Sequence, residues 1–201
     1  MDEREARREI VRASRLLSER GLIAGADGNV SVQLGPDGPF LVTASGIHKG
    51  FITEDDIVLV DGSWTQSGQE KGRASSEFPL HRALYRADPE AHAVVHAHPP
   101  WTLALFLAGR GLDPHLLMES RILLRDVALI PYHPPGSEAL ARAVAAEIHR
   151  GPVQVMAHHG AVSRGETLTK ALSFMECLEH SAKVTLLAHM IGEPSPLPGE
   201  G

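Results

Sequence analysis

The chain has 201 residues, 43% of them apolar, enough for one sizeable core in a single domain over residues 1–190, with a Pro/Gly-rich tail over 191–201. A formal net charge of −6 excludes nucleic acid as the main partner, because a phosphate-binding face makes a domain basic. One cysteine, Cys177, excludes an internal disulfide and fits a reducing, cytoplasmic setting, and there is neither an apolar signal region after Met1 nor an apolar run near the ~20 residues of a membrane span.

The elements follow in chain order. Asp2 to Arg20 reads as an amphipathic helix with an Asp2/Glu5 capping box, a stripe of Ile10, Ala13, Leu16 and Leu17, and Gly21 as its stop. Asn29 to Leu34 and Phe40 to Thr43 are short strands around the turn Gly35-Pro-Asp-Gly38, and Ile57 to Val60 is a third. Ser76 is expected to cap a helix running to about Tyr85, with Pro79 in its first turn. A strand ending at His98 and an apolar helix from about Trp101 to Gly109 come next. Val127 to Pro131 is another strand, Ser137 caps a helix to Arg150, Val153 to Ala157 is a buried strand, and Glu166 to Met190 is the longest helix. Strands and helices mix without strict βαβ alternation, which predicts an α/β fold of three layers, α/β/α, around a mostly antiparallel sheet.

The chemistry concentrates in Ala91-His-Ala-Val-Val-His-Ala-His98. Residues i and i+2 of a strand face the same way, with Cα atoms about 6.6 Å apart, so His96 and His98 can share one metal ion. His92 has the same parity but lies deeper in the run and reads as structural or surface. Adjacent strand residues face opposite ways, so only one of His158 and His159 can join that pair. His159 is chosen because it shares the alternation of Val153, Val155 and Ala157, and because Gly160 lets the backbone approach. Glu77, after Ser75-Ser76, supplies a carboxylate. Three imidazoles with one displaceable carboxylate suit catalytic Zn2+. The helix start at Ser75-Ser76, with the small-residue turns Gly28-Asn-Val-Ser31 and Thr43-Ala-Ser-Gly46, offers donors for a phosphate. Glu176, Glu179 and His180 read as a solvated face of the last helix.

In order, Gly28-Asn29-Val30-Ser31, Ser45-Gly46, Ser75-Ser76-Glu77, Val95-His96-Ala97-His98 and His158-His159-Gly160 resemble the class II aldolase/adducin family over nearly the whole chain. The resemblance implies a zinc-dependent homotetramer with active sites at subunit interfaces. His96, His98 and His159 become ligands, Glu77 the fourth ligand and acid/base, and Asn29, Ser45, Gly46, Ser75 and Ser76 the holders of a substrate phosphate. The expected reaction is cleavage of a small ketose 1-phosphate, of the L-fuculose 1-phosphate type, to dihydroxyacetone phosphate and an aldehyde. The same chemistry serves epimerases, dehydratases and decarboxylases, and adducin heads of the family are non-catalytic interaction modules. The family's aldolases carry a catalytic tyrosine just before a methionine. Counting back from Pro131-Tyr132 places Leu117 there, before Met118, with His115, Glu119 and Arg121 as nearby substitutes.

Overall fold

The computed structural model describes residues 2–36, 38–66 and 72–198. Helix α1 (Glu3–Glu19) starts where the Asp2 carboxylate accepts from the Glu5 N–H at 2.7 Å. It stops where Gly21 takes a left-handed φ of +69°. Three strands follow, β1 (Asn29–Gln33), β2 (Phe40–Thr43) and β3 (Ile57–Val60), then α2 (Phe78–Ala87), β4 (Ala93–Ala97) and α3 (Pro100–Leu107). A single π-helical turn, Ser120–Leu124, leads to β5 (Ala128–Ile130), α4 (Glu138–Ala146), β6 (Val153–Met156), β7 (Gly160–Gly165) and α5 (Leu168–Ile191).

The seven strands form one sheet in the order β3-β2-β1-β4-β7-β6-β5. Every pairing is antiparallel except β5 with β6. Both faces are covered, which is why the strands read as nearly continuous apolar runs. Val30, Val32, Leu41, Ala93, Val95 and Val155 pack under α1 and α5. Val42, Val58, Val60, Val94 and Val162 pack under α2 and α4. The mostly antiparallel three-layer expectation holds.

Two elements carry no apolar pattern. Gly160-Ala-Val-Ser-Arg-Gly165 is bounded by glycine and carries a serine and an arginine, yet β7 is central and buried. Its polar groups have tertiary partners. The Ser163 hydroxyl donates to the Ala171 carbonyl at 2.7 Å, and Arg164 pairs with Asp88 at 2.6 Å while donating to the Gly151 and Ile148 carbonyls. The π-helical turn likewise has no period to announce it. The fourth helix is shorter than expected, ending near Ala146 rather than Arg150. In the tail, the Leu197 N–H donates to the His115 carbonyl at 2.6 Å.

Candidate active site

The site lies at the end of the sheet where β1 begins and β4 ends. Asn29 and His96 are direct partners across those strands. His96 is fully buried and shares the face of Val94, toward α2. His98 lies just beyond β4, fixed by its backbone N–H donating to the Leu22 carbonyl at 2.9 Å.

His158 and His159 occupy the turn between β6 and β7 and are not strand residues, so strand alternation does not select between them. The turn itself does. His158 takes a left-handed φ of +58° and lines a hollow with Leu103, Phe106 and Leu129. His159 lines the cavity beside Glu77 and His98. Gly160 is required by close approach. A Cβ there would sit 2.5 Å from the Ala97 carbonyl oxygen and 2.6 Å from His98 Cδ2. Gly28 is held as tightly: its φ is +65°, and a Cβ would meet the His96 carbonyl oxygen at 2.6 Å.

Nitrogens of His96, His98 and His159 lie within 4.8 Å of one another, an arrangement that can hold a divalent metal ion. Glu77 bridges two of them, with Oε2 3.1 Å from His96 Nε2 and Oε1 3.0 Å from His159 Nε2. His96 and His98 approach at 3.2 Å between Nε2 atoms. In a tetrahedron with bonds of 2.0–2.1 Å, neighbouring ligand atoms stand about 3.3 Å apart, so these separations match the edges of such a site. The tautomer also fits. His96 Nδ1 lies 2.9 Å from the Ala161 carbonyl, which can only accept, so Nδ1 carries the proton and the Nε2 lone pair faces Glu77 and His98.

Electrostatics keep the cluster ready for a cation. Burial alone would raise the Glu77 carboxyl, but the His159 and His96 rings beside it outweigh burial and hold the group well below the usual carboxylate range. Burial, with His96 and His159 close by, pushes His98 down to about 4 and keeps it neutral. Asn29 Nδ2 donates to Glu77 Oε2 at 3.0 Å and orients the carboxylate.

A cavity of about 320 Å3 opens beside these groups, and Asn29, Ser45, Gly46, Ser75 and Ser76 all line it. Two backbone hydrogen bonds join their loops: Ser45 N–H donates to the Arg73 carbonyl at 2.8 Å, and Ser75 N–H to the Thr43 carbonyl at 3.2 Å. The helix start differs from expectation. Glu77, not Ser76, is the N-cap residue of α2. Ser75 uses its own hydroxyl and carbonyl for the Glu77 and Phe78 N–H groups, Pro79 has no N–H, and Leu80 N–H donates to the Glu77 carbonyl. The first turn of α2 therefore offers no free N–H at Glu77, Phe78 or Leu80.

Lys49 also lines the cavity, buried to 1% exposure. The sequence reading missed it, because a lone lysine in a Gly-rich loop carries no motif. Glu179 corrects a second reading. It is buried rather than solvated, and its carboxylate accepts from the Trp101 and Thr102 N–H groups at 2.9 and 2.8 Å, capping α3 directly after the histidine strand. Its neighbour Glu176 pairs with Arg20 at 2.9 Å. His92 is exposed at the far end of β4. His115, Leu117, Glu119 and Arg121 do not line the cavity, and the Leu117 carbonyl accepts from the Ser120 hydroxyl at 2.8 Å.

Comparison with known proteins gives a consistent answer. Residues 8–186 match the family described as Class II Aldolase and Adducin N-terminal domain. A 3-oxo-tetronate 4-phosphate decarboxylase of Escherichia coli (strain K12) is 34% identical over 196 residues, 92% of this chain and 88% of its own length. An L-fuculose phosphate aldolase of Methanococcus vannielii is 32% identical over 177 residues, 88% of this chain and 93% of its own. A solved L-fuculose 1-phosphate aldolase superposes with a TM-score of 0.89 at 28% identity, covering 100% of this chain and 93% of that one. Fold, motif order and extent of similarity agree: the chain belongs to the class II aldolase and adducin family.

Proposed function

We propose that the protein is a zinc-dependent class II aldolase that splits a small ketose 1-phosphate into dihydroxyacetone phosphate and an aldehyde. The observation that carries this reading is the bridging of His96 and His159 by Glu77 at 3.0–3.1 Å beside His98 and an open cavity. His96, His98 and His159 would hold the ion, with Glu77 as a fourth, displaceable ligand. A divalent ion bound there supplies Lewis-acid stabilisation of the negative charge that develops as C3–C4 breaks. Glu77, oriented by Asn29, would then carry the proton at C3, delivering it after cleavage and removing it in the condensation direction, while the proton that the C4 hydroxyl gives up on cleavage passes to solvent water. Asn29, Ser45, Gly46, Ser75 and Ser76 orient the sugar through its phosphate, so binding energy remote from the reacting carbons is used for alignment. The substrate is a small phosphorylated sugar, and the active assembly is a cytoplasmic homotetramer with sites at subunit interfaces, as the family resemblance implies.

A second reading is decarboxylation of a 3-oxo sugar acid 4-phosphate. Leu117, at the position the resemblance gives to the acid/base tyrosine, favours it. Carbon dioxide leaves without the proton transfer that a departing aldehyde requires, and the three-carbon product is the same. Purified protein with zinc should exchange the C3 proton of dihydroxyacetone phosphate with solvent. Absence of exchange would sink both readings. Aldehyde release from ketose 1-phosphates selects the first, and carbon dioxide release from 3-oxo-tetronate 4-phosphate the second.

A further inference from the structure

The cavity wall has one cation, Lys49, that makes no ion pair among the described residues. Lys49 Nζ donates to the Ala26 carbonyl at 3.0 Å and the Ile47 carbonyl at 2.8 Å. An ammonium has three N–H donors, and among the described residues the third has no acceptor. No carboxylate among those residues lies within ion-pair distance. Asp27, the acid whose charge acts on it, is turned to His98 at 3.5 Å. Burial pushes the Lys49 amine down to about 8, so the protonated form is poorly compensated. A buried charge of this kind is stable when an anion completes it.

The two carbonyls also tell where the ammonium sits. Ala26 belongs to the loop that delivers Gly28 and Asn29, and Ile47 to the loop that delivers Ser45 and Gly46. Lys49 therefore ties together the two loops that carry candidate phosphate donors. It is the one lysine or arginine among the residues lining the cavity, whose other charged members are Asp27 and Glu77. Hydroxyls and amides alone would have to hold a dianion against those two acids, and the α2 start adds no free N–H at Glu77, Phe78 or Leu80.

We propose that the Lys49 ammonium is the cationic partner of the substrate phosphate and sets the preference of this cavity for phosphorylated substrates. The inference rests on reading the cavity as a sugar-phosphate site, and its first test needs no turnover. Inorganic phosphate should bind the zinc-loaded full chain, measured by calorimetry. Lys49→Gln, which keeps a donor for one carbonyl but removes the charge, should weaken that binding about 10- to 100-fold, the worth of a hydrogen bond to a charged group. Lys49→Arg should stay within a few-fold of wild type. With dihydroxyacetone phosphate the Lys49→Gln loss should fall on KM more than on kcat.

Equal phosphate affinity in folded wild-type and Lys49→Gln protein would overturn the proposal and leave Lys49 as a loop tie. So would a wild type that takes up no phosphate. If Lys49→Gln does not fold, the four lysines of the chain allow a direct reading. In wild type labelled at lysine Cε, the Lys49 signal, assigned by its loss in Lys49→Arg, should move with added phosphate. A signal that stays fixed refutes the proposal. Loss of C3 proton exchange with phosphate binding intact would instead remove the catalytic reading and leave this one standing.

Discussion

The two halves of the cavity are built by different means. The half proposed to hold metal is made of side chains: His96 from a central strand, His98 just past it, His159 from a hairpin turn and Glu77 from a helix start, with donor atoms 3.0–3.2 Å apart across its closest pairs. The half proposed to hold phosphate is made of loops: backbone turns at Gly28 and Gly46, three serine hydroxyls, and one buried lysine tied to two carbonyls. Metal binding needs particular atoms at fixed separations, so residue type carries the chemistry. Anion binding needs donors and charge in a concave place, which many sequences supply. Changes in the metal half should therefore be nearly all-or-none, and changes in the phosphate half graded.

The strongest break is the double substitution His96→Ala/His98→Ala. It removes two of three imidazoles, so the purified protein should lose its metal, and activity should fall by about 10³ or more, the worth of several kcal/mol of charge stabilisation. Elemental analysis of protein prepared without a histidine tag, with circular dichroism to confirm folding, checks this. Unchanged metal content would place the ion elsewhere.

Glu77→Gln divides the metal half by function. Glutamine keeps the shape and one oxygen for coordination but cannot carry a proton. Most of the metal should remain while kcat falls about 10²–10⁴-fold. C3 proton exchange at the wild-type rate would remove Glu77 from the proton path.

This contrast decides what was legible in the sequence. Strands with alternating or continuous apolar runs, such as Ile57–Val60, sit where expected because burial on the sheet selects such residues. Strand β7 did not announce itself, because Ser163 and Arg164 are satisfied by groups distant in sequence. The histidines come together as expected, His159 for a different physical reason. A left-handed His158 and a crowded Gly160 set the turn, and strand parity plays no part. Glu179 reads as a surface acid until the α3 start it caps is in view. Lys49 was invisible for the same reason: its role depends on what the fold places around it.

Gly160→Ala tests how closely the metal half is packed. The added methyl would meet the Ala97 carbonyl and the His98 ring at 2.5–2.6 Å, and neither backbone nor a ring packed within the histidine cluster yields easily. Overpacking of this kind costs about 1–3 kcal/mol. Stability should drop by that amount and metal affinity with it. A variant with wild-type melting temperature and metal content would show that the hairpin turn is softer than its packing suggests.

Behind the metal half, His81 is fully buried on α2, with Nδ1 2.7 Å from the Ser31 hydroxyl, which also lies 2.7 Å from the Tyr85 hydroxyl. Burial pushes His81 down to about 3 from its ordinary 6.5. Between those values the unfolded chain binds a proton that the folded one refuses. Stability is therefore complete above pH 6.5 and declines as pH falls, by about 1.4 kcal/mol per unit from this residue. In chelator-treated protein, His81→Gln should be less stable at neutral pH but show a shallower acid slope. Parallel slopes would assign the acid sensitivity to other groups.

The smallest effect is the one that best examines the phosphate half. The Ser76 hydroxyl makes no hydrogen bond among the described residues, whereas the Ser75 hydroxyl accepts from the Glu77 N–H at 3.3 Å. Ser76→Ala therefore deletes a donor without disturbing the turn that presents Glu77. Losing one neutral hydrogen bond should weaken phosphate binding about 2- to 10-fold, with metal content and melting temperature unchanged. Ser75→Ala should add a loss in kcat, because it loosens the Glu77 turn. Combining Ser76→Ala with Lys49→Gln then asks whether both groups hold one anion. If they do, the double variant should lose less than the product of the single losses, since a phosphate no longer drawn in by the ammonium gains less from the hydroxyl. Strictly multiplicative losses would mean that the two groups act independently. The phosphate half would then be a diffuse wall of donors, in contrast to the single point of convergence of the metal half.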